Sequence, residues 1–422
     1  MMTTRSFRMS AAVAGCALVA LLASNASAVV VADSAVDFSG TQGQNNWTNG
    51  YHNVTANGAY DAGDFIEFGP GGNPGFVFGA GKWDWGAGNP PWTEVSATGG
   101  HPNGTNNAGS GGEQWVVRRW TSEVEGAVNI DMQLRKTNTG GGNGTIVRTF
   151  VNGAEQASFA VAGTDGVGRT CTFHVPDLNV GDFVDVVLDA NGSDGFDGSA
   201  FSGVVNHVTP NGSTLIADSI TEFSGTQGSN GWFNGYHNVT ANGPYDAGDF
   251  IEFGPGGDPG FVLVGGGTRW DWGAGNPPWT TIDADDGHPN GTNNAGSGGE
   301  QWAIRRYQVE EGGDLLIDAF LAAQNTNGGN GTILHILHNG TEIGSLIVGG
   351  TDGVGLRDVF SVLGAQAGDF IDLALDSNGP DGSDGSFFSA RIYRLNTVPE
   401  PASAALFLLA SGALGIRRRR RA

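Results

Sequence analysis

WDWGAGNPPWTEVSATGGHPNGTNNAGSGGEQW, residues 83–115, returns at residues 270–302 as WDWGAGNPPWTTIDADDGHPNGTNNAGSGGEQW. The two copies differ only between Glu94 and Gly99 and their counterparts Thr281 and Asp286. Tryptophans sit here among glycines, asparagines and prolines, with neither the alternation of a strand nor the stripe of a helix. The stretch therefore reads as a long, ordered, aromatic-rich loop, the kind of segment on which binding surfaces are built. Its recurrence decides the architecture, because a repeat this long duplicates whole domains rather than the turns of a solenoid.

Working outward, FSGTQGQNNWTNGYHNVTANGAYDAGDFIEFGP from Phe38 matches FSGTQGSNGWFNGYHNVTANGPYDAGDFIEFGP from Phe223. Each copy carries short strand-like runs separated by turn clusters. They include Phe65–Phe68, Gln114–Trp120, Ala127–Leu134, Phe183–Leu188 with its twin Phe370–Leu375, and a last run near Phe201 and Phe388. Thr145–Asn152 and Gln156–Val161 flank Gly153 as in a hairpin. About eight to ten short strands per copy, rich in glycine turns, predict an all-β chain of two tandem β-sandwich, jelly-roll-like domains. The expected organisation is a signal peptide over residues 1–28, one module over 29–208 and a second over 213–396. A Pro/Gly/Asn linker near Val205–Ser213 joins the modules, and a sorting segment occupies 398–422.

Both ends carry targeting chemistry. MMTTRSFRMS is basic, an apolar run follows, and Ala26-Ser27-Ala28 closes it as a small-x-small cleavage site, which predicts a mature start at Val29. Val13–Cys16 also matches a lipoprotein box, but the apolar run continues past Cys16. At the other end Pro399-Glu400-Pro401 precedes an apolar stretch, Ala402–Ile416, and five arginines, Arg417–Arg421. That stretch is short of the roughly 20 residues needed to span a bilayer unaided. The arginines fit its cytoplasmic side and the prolines make an accessible hinge before it.

The order Pro-Glu-Pro, short apolar helix, arginine cluster resembles the PEP-CTERM sorting signal. The resemblance implies processing by an exosortase, transient inner-membrane anchoring by the C-terminal helix, and delivery to the cell surface or extracellular matrix. FSGTQG with its following Trp, HPNG…EQW-x-x-RR, T-D-G-V-G and G-D-F-[VI]-D resemble modules of secreted PEP-CTERM proteins of planctomycete-like bacteria. Those modules look like jelly rolls in the style of carbohydrate-binding sandwiches, which implies extracellular polysaccharide as a partner.

Charge and cysteine content bound the rest. Once Arg5, Arg8 and the five tail arginines are set aside, 13 basic residues face 42 acidic ones outside the targeting segments. Such a balance disfavours nucleic acid and anionic membranes as partners. Only Cys171 remains after signal removal, so no intramolecular disulfide forms.

Sugar sites need an exposed aromatic face beside amide and carboxylate groups. Trp83, Trp85 and Trp92 supply rings, with Asp84, Asn89, His101, Asn103, Asn106 and Asn107 as polar neighbours. The second copy offers Trp270, Trp272 and Trp279 with Asp271, Asn276, His288, Asn290, Asn293 and Asn294. In an extended WDW the two rings share a face. The opposing reading is that the rings pin the loop to the sandwich; Trp115 and Trp302, inside apolar runs, are expected in the core. Asp189, Asn191, Asp194 and Asp197, and likewise Asp376, Asn378, Asp381 and Asp384, place hard oxygens among glycines, a pattern that suits calcium. A simple Asx-rich turn is the alternative. For catalysis, Glu67 with Glu113 and Glu252 with Glu300 are candidate carboxylate pairs, and His52, His101 and Asp84 a candidate base set. No nucleophile elbow or metalloprotease motif accompanies them, so the expectation is a binding protein rather than an enzyme. A purely structural matrix component and a polysaccharide hydrolase are the alternatives. Arg118 and Arg119, adjacent in a strand, should point to opposite faces, one meeting a carboxylate and the other water.

Overall fold

The computed structural model describes residues 29–209 and 211–396, so the expected signal peptide and the Pro399-Glu400-Pro401 sorting segment lie outside the described residues. The first module contains β1 (Val29–Asp33), β2 (Trp47–Asn53), β3 (Phe65–Glu67), β4 (Phe76–Gly79), β5 (Lys82–Trp85), β6 (Glu94–Ser96) and β7 (Gly100–His101). It continues with β8 (Gln114–Thr121), β9 (Gly126–Lys136), β10 (Thr145–Val151), β11 (Ala154–Val161), β12 (Arg169–Leu178), β13 (Phe183–Asp189) and β14 (Ser199–Thr209). One sheet runs β12-β9-β14-β7-β6-β5-β4, with β1 beside β14; the other runs β11-β10-β13-β8-β2-β3. The second module repeats both strand orders. The all-β sandwich expectation therefore holds.

Two details differ from the expectation. Residues 83–115 are not one loop, because β5, β6 and β7 lie within them and extend the first sheet. These strands are too short to display alternation, and glycines and prolines surround them. The join is also tighter than a linker from Val205: β14 continues to Thr209 and the next strand begins at Ser213. The β10–β11 hairpin forms as expected, with Asn152 and Gly153 both at positive φ (52° and 84°), the geometry that closes a two-residue turn.

Trp47, Trp120, Phe159, Phe173 and Phe201 fill the space between the sheets of the first module, and a matching cluster fills the second. Arg118 and Arg119 do point to opposite faces, but neither meets water. Arg118 lies fully buried between the sheets, donating to the carbonyls of Ser34 (3.0 Å) and Ser96 (2.7 Å), with its guanidinium over Phe201. Burial lowers its pKa to about 9. Arg119 is the one that meets a carboxylate, pairing with Asp185 at 2.7 and 2.8 Å, and it is sealed by Phe65, Phe183 and Tyr60. Trp115 packs beside His52 under Arg148 on the outer face of its sheet rather than in the inter-sheet core.

The modules meet through β12 and the strand Leu356–Ala365. Leu356 packs against both cores. Cys171 Sγ donates to the Arg357 carbonyl at 2.7 Å, and Arg169 pairs with Asp352 at 2.6 Å. The His174 ring lies 4.7 Å from that of Tyr393. RTCTFHVPDL in β12 corresponds to LRDVFSVLGA in its twin. The copies have diverged here because each twin strand faces the other across the junction, and two different surfaces must fit.

Candidate functional site

Strand β5 reads Lys-Trp-Asp-Trp, and its alternation sorts the side chains by face. The rings of Trp83 and Trp85 do share a face, but it is the inner one. Trp83 is 5 % exposed and meets Phe78 edge-on at 5.5 Å, and Trp270 repeats this burial. Trp85 and Trp272 lean edge-on onto Phe76 and Phe261, both at 5.2 Å. Inward Phe side chains already line that face, so burying the indoles there removes more apolar surface from water than displaying them would. Trp83 and Trp270 thus leave the candidate binding set. Trp85 remains half-buried at the wall of a separate depression of about 280 Å³ with Tyr51, Pro90 and Pro91.

The outward residues of β5 are Lys82 and Asp84. Lys82 Nζ lies 2.9 Å from Asp84 Oδ2 and also binds Glu94 on β6. In the second module Arg269 pairs with Asp271 at 3.2 Å.

Trp92 and Trp279 are the exposed rings of this region, each 42 % accessible. Their backbones are held from below. Asn103 Oδ1 accepts the Trp92 N–H at 3.0 Å, while its Nδ2 donates to the carbonyls of Asn107 (3.2 Å) and Gly112 (2.7 Å). Asn290 does the same for Trp279. Both asparagines are fully buried, so they are braces rather than ligand contacts, a correction to their expected role. His101 and His288 sit beside the rings, at centroid distances of 5.9 and 6.1 Å. Nδ1 of each faces a proline carbonyl at 2.7 and 2.6 Å and must donate to it, so Nε2 is the acceptor. Burial lowers the pKa of both, which favours the neutral ring.

In the second module these groups line a cleft of about 240 Å³, with Arg269, Asp271, Asn276, Trp279 and His288 joined by Asp283, Asp286 and Gln324. Asp283 and Asp286 fall in the short segment where the copies differ, Ser96 and Gly99 being their counterparts. Burial first, then the neighbouring Asp286, pushes the Asp283 carboxyl up to about 6, and Asp286 is raised by burial and Asp285. Sequence reasoning passed over Asp283, Asp286, Gln324, Arg269 and Lys82. The available signal was the drift itself, since the variable residues form the cleft wall.

The loops expected to hold calcium turn out to be bolted to the tryptophan segment. Asp194 accepts from Gly104 N–H (2.9 Å), Asn106 Nδ2 (2.7 Å) and Asn107 Nδ2 (2.8 and 2.9 Å). Asp381 accepts from Gly291 and Asn294, and its own N–H donates to Asn293 Oδ1 at 2.8 Å. Asp189 binds Arg148 and the Asn191 N–H, and Asp376 caps Asn378. Asp197 pairs with Lys136 at 2.9 Å, whereas Asp384 has no partner among the described residues. Among the described residues no group of three or more His, Cys, Asp or Glu is arranged to hold a metal ion.

The catalytic candidates do not assemble into one site. His52 lies in the other sheet from Asp84 and His101, fully buried, with Nε2 2.9 Å from the Gly58 carbonyl. Glu67 aligns with Gly50 in the middle of β2, while Glu113 lies beyond Asn53 at its end; Glu252 and Glu300 repeat that placement.

Residues 397–421 match the PEP-CTERM protein-sorting motif, which marks the chain for export. No curated protein matches the chain. Among solved structures it is similar to a family 35 carbohydrate binding module from Clostridium thermocellum (18 % identity, 22 % of this chain and 68 % of that one, TM-score 0.17). It is similar as well to the tandem CBM51 modules of a family 98 glycoside hydrolase from Streptococcus pneumoniae (10 %, 70 % and 92 %, TM-score 0.21). A third is the CBM22-1-CBM22-2 tandem domain from Paenibacillus barcinonensis Xyn10C (9 %, 67 % and 88 %, TM-score 0.21).

Proposed function

We propose that this exported chain is a non-catalytic protein of the cell surface or extracellular matrix that binds glycan beside Trp92 and beside Trp279. The observation that carries the reading is the Trp279 ring, 42 % exposed at the edge of a cleft walled by Arg269, Asp271, Asn276 and His288. An indole face takes the C–H patch of a sugar ring, while His Nε2 and the carboxylates accept hydroxyl protons and the guanidinium donates. Asn103 and Asn290 fix the backbone of each tryptophan, so little ordering is left to binding. Two linked sites gain avidity on a polymer that spans both. The clefts differ in charge: the first carries Lys82 between Asp84 and Glu94, and the second exchanges Glu94 for Thr281 and gains Asp283 and Asp286. They therefore select different hydroxyl or charge patterns on the glycan.

Support for a non-catalytic role comes from the carboxylates at hand. Asp283 and Asp286 close one tight turn, the Asp283 N–H donating to the Asp286 carbonyl at 2.9 Å, so both come from the same short segment. Asp84 and Asp271 are held by Lys82 and Arg269. Exosortase processing after transient anchoring by the C-terminal segment would deliver the modules outside the cell. A glycan-array screen of residues 29–396, with and without chelator, tests the reading. Binding to a defined glycan class is expected, without release of reducing ends on prolonged incubation. Release of reducing ends would establish a hydrolase, and a blank array would leave a purely structural role.

A further inference from the structure

The duplication supplies an internal control for one buried charge. Asp197 and Asp384 are counterparts, as are Lys136 and Ala323. In the first module Lys136 Nζ lies 2.9 Å from Asp197 Oδ1, and neither side chain is exposed. The second module keeps the carboxylate and its surroundings. Ser386 Oγ donates to the Asp384 carbonyl at 3.1 Å and meets Thr332 Oγ1 at 2.8 Å, repeating Ser199 and Thr145. It loses the cation. Ala323 replaces the lysine stem and ammonium by a methyl, and Asp384, 2 % exposed, has both oxygens without a partner among the described residues. Its charged neighbours, Asp381 and Asp376, are of like sign. Breaking a buried pair by removing one member leaves an uncompensated buried charge.

We propose that the second module binds a single monovalent metal cation at Asp384, in the place that the Lys136 ammonium takes in the first. The charge argument is direct, since one carboxylate needs one positive charge. A divalent ion fits less well. Calcium would need a second carboxylate for its second charge, and the neighbouring ones are committed: Asp381 to Gly291 and Asn294, Asp376 to Asn378 and His335. Of potassium and sodium, potassium is the nearer to ammonium in radius and is the better match, with sodium next. Burial, then Asp381 and Asp376, push the Asp384 carboxyl up to about 7. This site is independent of the glycan reading.

The test is thermal unfolding of the mature chain at pH 8 in potassium, sodium, calcium or tetramethylammonium chloride at equal ionic strength. Potassium and sodium should raise Tm by roughly 3 °C or more over tetramethylammonium, an ion too large to enter. Ala323→Lys, which rebuilds the first module's ion pair, should abolish the difference and raise Tm in tetramethylammonium. Asp384→Asn, which removes the charge, should abolish it as well. Sodium NMR lines broadened by the wild-type chain should sharpen on adding potassium. Equal Tm values in potassium and tetramethylammonium would overturn the proposal. So would a cation dependence that survives Ala323→Lys and Asp384→Asn, or a response to calcium alone.

Discussion

Asn107 Nδ2 donates to both carboxylate oxygens of Asp194, at 2.8 and 2.9 Å, and so ties together two segments that lie 87 residues apart. The tie holds the tryptophan segment against the acidic loop, and Asn294 with Asp381 repeats it in the second module. Charge-assisted bonds to a buried carboxylate are among the stronger ones, and losing the acceptor strands several donors.

Asp194→Ala should therefore destabilise the first module by roughly 2–4 kcal/mol. The loss should be concentrated in amide exchange at Gly104–Asn107. Urea unfolding and hydrogen exchange together check this. Unchanged protection at Gly104 would mean that Asp194 does not hold the segment.

The tryptophans separate by face into two experiments. Trp92→Ala and Trp279→Ala remove exposed rings, so they should leave the urea midpoint unchanged and weaken glycan binding at least tenfold. Trp83→Ala and Trp270→Ala empty core positions and should cost about 3–5 kcal/mol each. Binding that survives the first pair of substitutions would remove the stacking mechanism.

The division between these rings marks what the sequence could say. The sandwich was legible from QWVVRRW, the hairpin about Gly153 and the duplication, because those patterns are local. The inward turn of Trp83 was not, since β5 is four residues long and its facing partners, Phe76 and Phe78, lie on the neighbouring strand. An Asp-rich loop looks alike in sequence whether its oxygens face a cation or, as Asp194 does, the amides of Asn106 and Asn107. β9 and β12 show a drift relative to their twins. It follows from a junction at which Arg357 grips Asp318 and reaches the Gln156 carbonyl, while its counterpart Thr170 does neither.

The second cleft should respond to acid. A carboxyl whose folded pKa is raised to about 6, as at Asp283, holds its proton more tightly folded than unfolded. Its contribution then falls as pH rises from about 4, the unfolded value, through 6. Replacing it by the first module's residue, Asp283→Ser, should stabilise the chain at pH 7.5 and do so by less than half as much at pH 4.5. The difference in urea midpoint between wild type and variant, followed across pH, reads this directly. A pH-independent difference would show that Asp283 does not titrate in that window.

Cys171 reports on the junction. Burial pushes its thiol up to about 12, and the Sγ donates across the interface to the Arg357 carbonyl. A buried thiol that is not ionised is inert. Native chain should therefore resist iodoacetamide at pH 8 and label promptly in urea. Arg357 sits at the junction: it forms two 2.6 Å bonds to Asp318 of its own module, whose carboxylate is fully buried, and reaches the Gln156 carbonyl of the other. Arg357→Ala leaves that carboxylate without its main partner, a loss of about 3–5 kcal/mol. The surrounding contacts, the Cys171 bond included, should then open, with alkylation of Cys171 at least tenfold faster under native conditions. If labelling stays slow in Arg357→Ala while the core remains folded, packing by Leu356 and Phe173 alone seals the junction and the ion pair is dispensable to it.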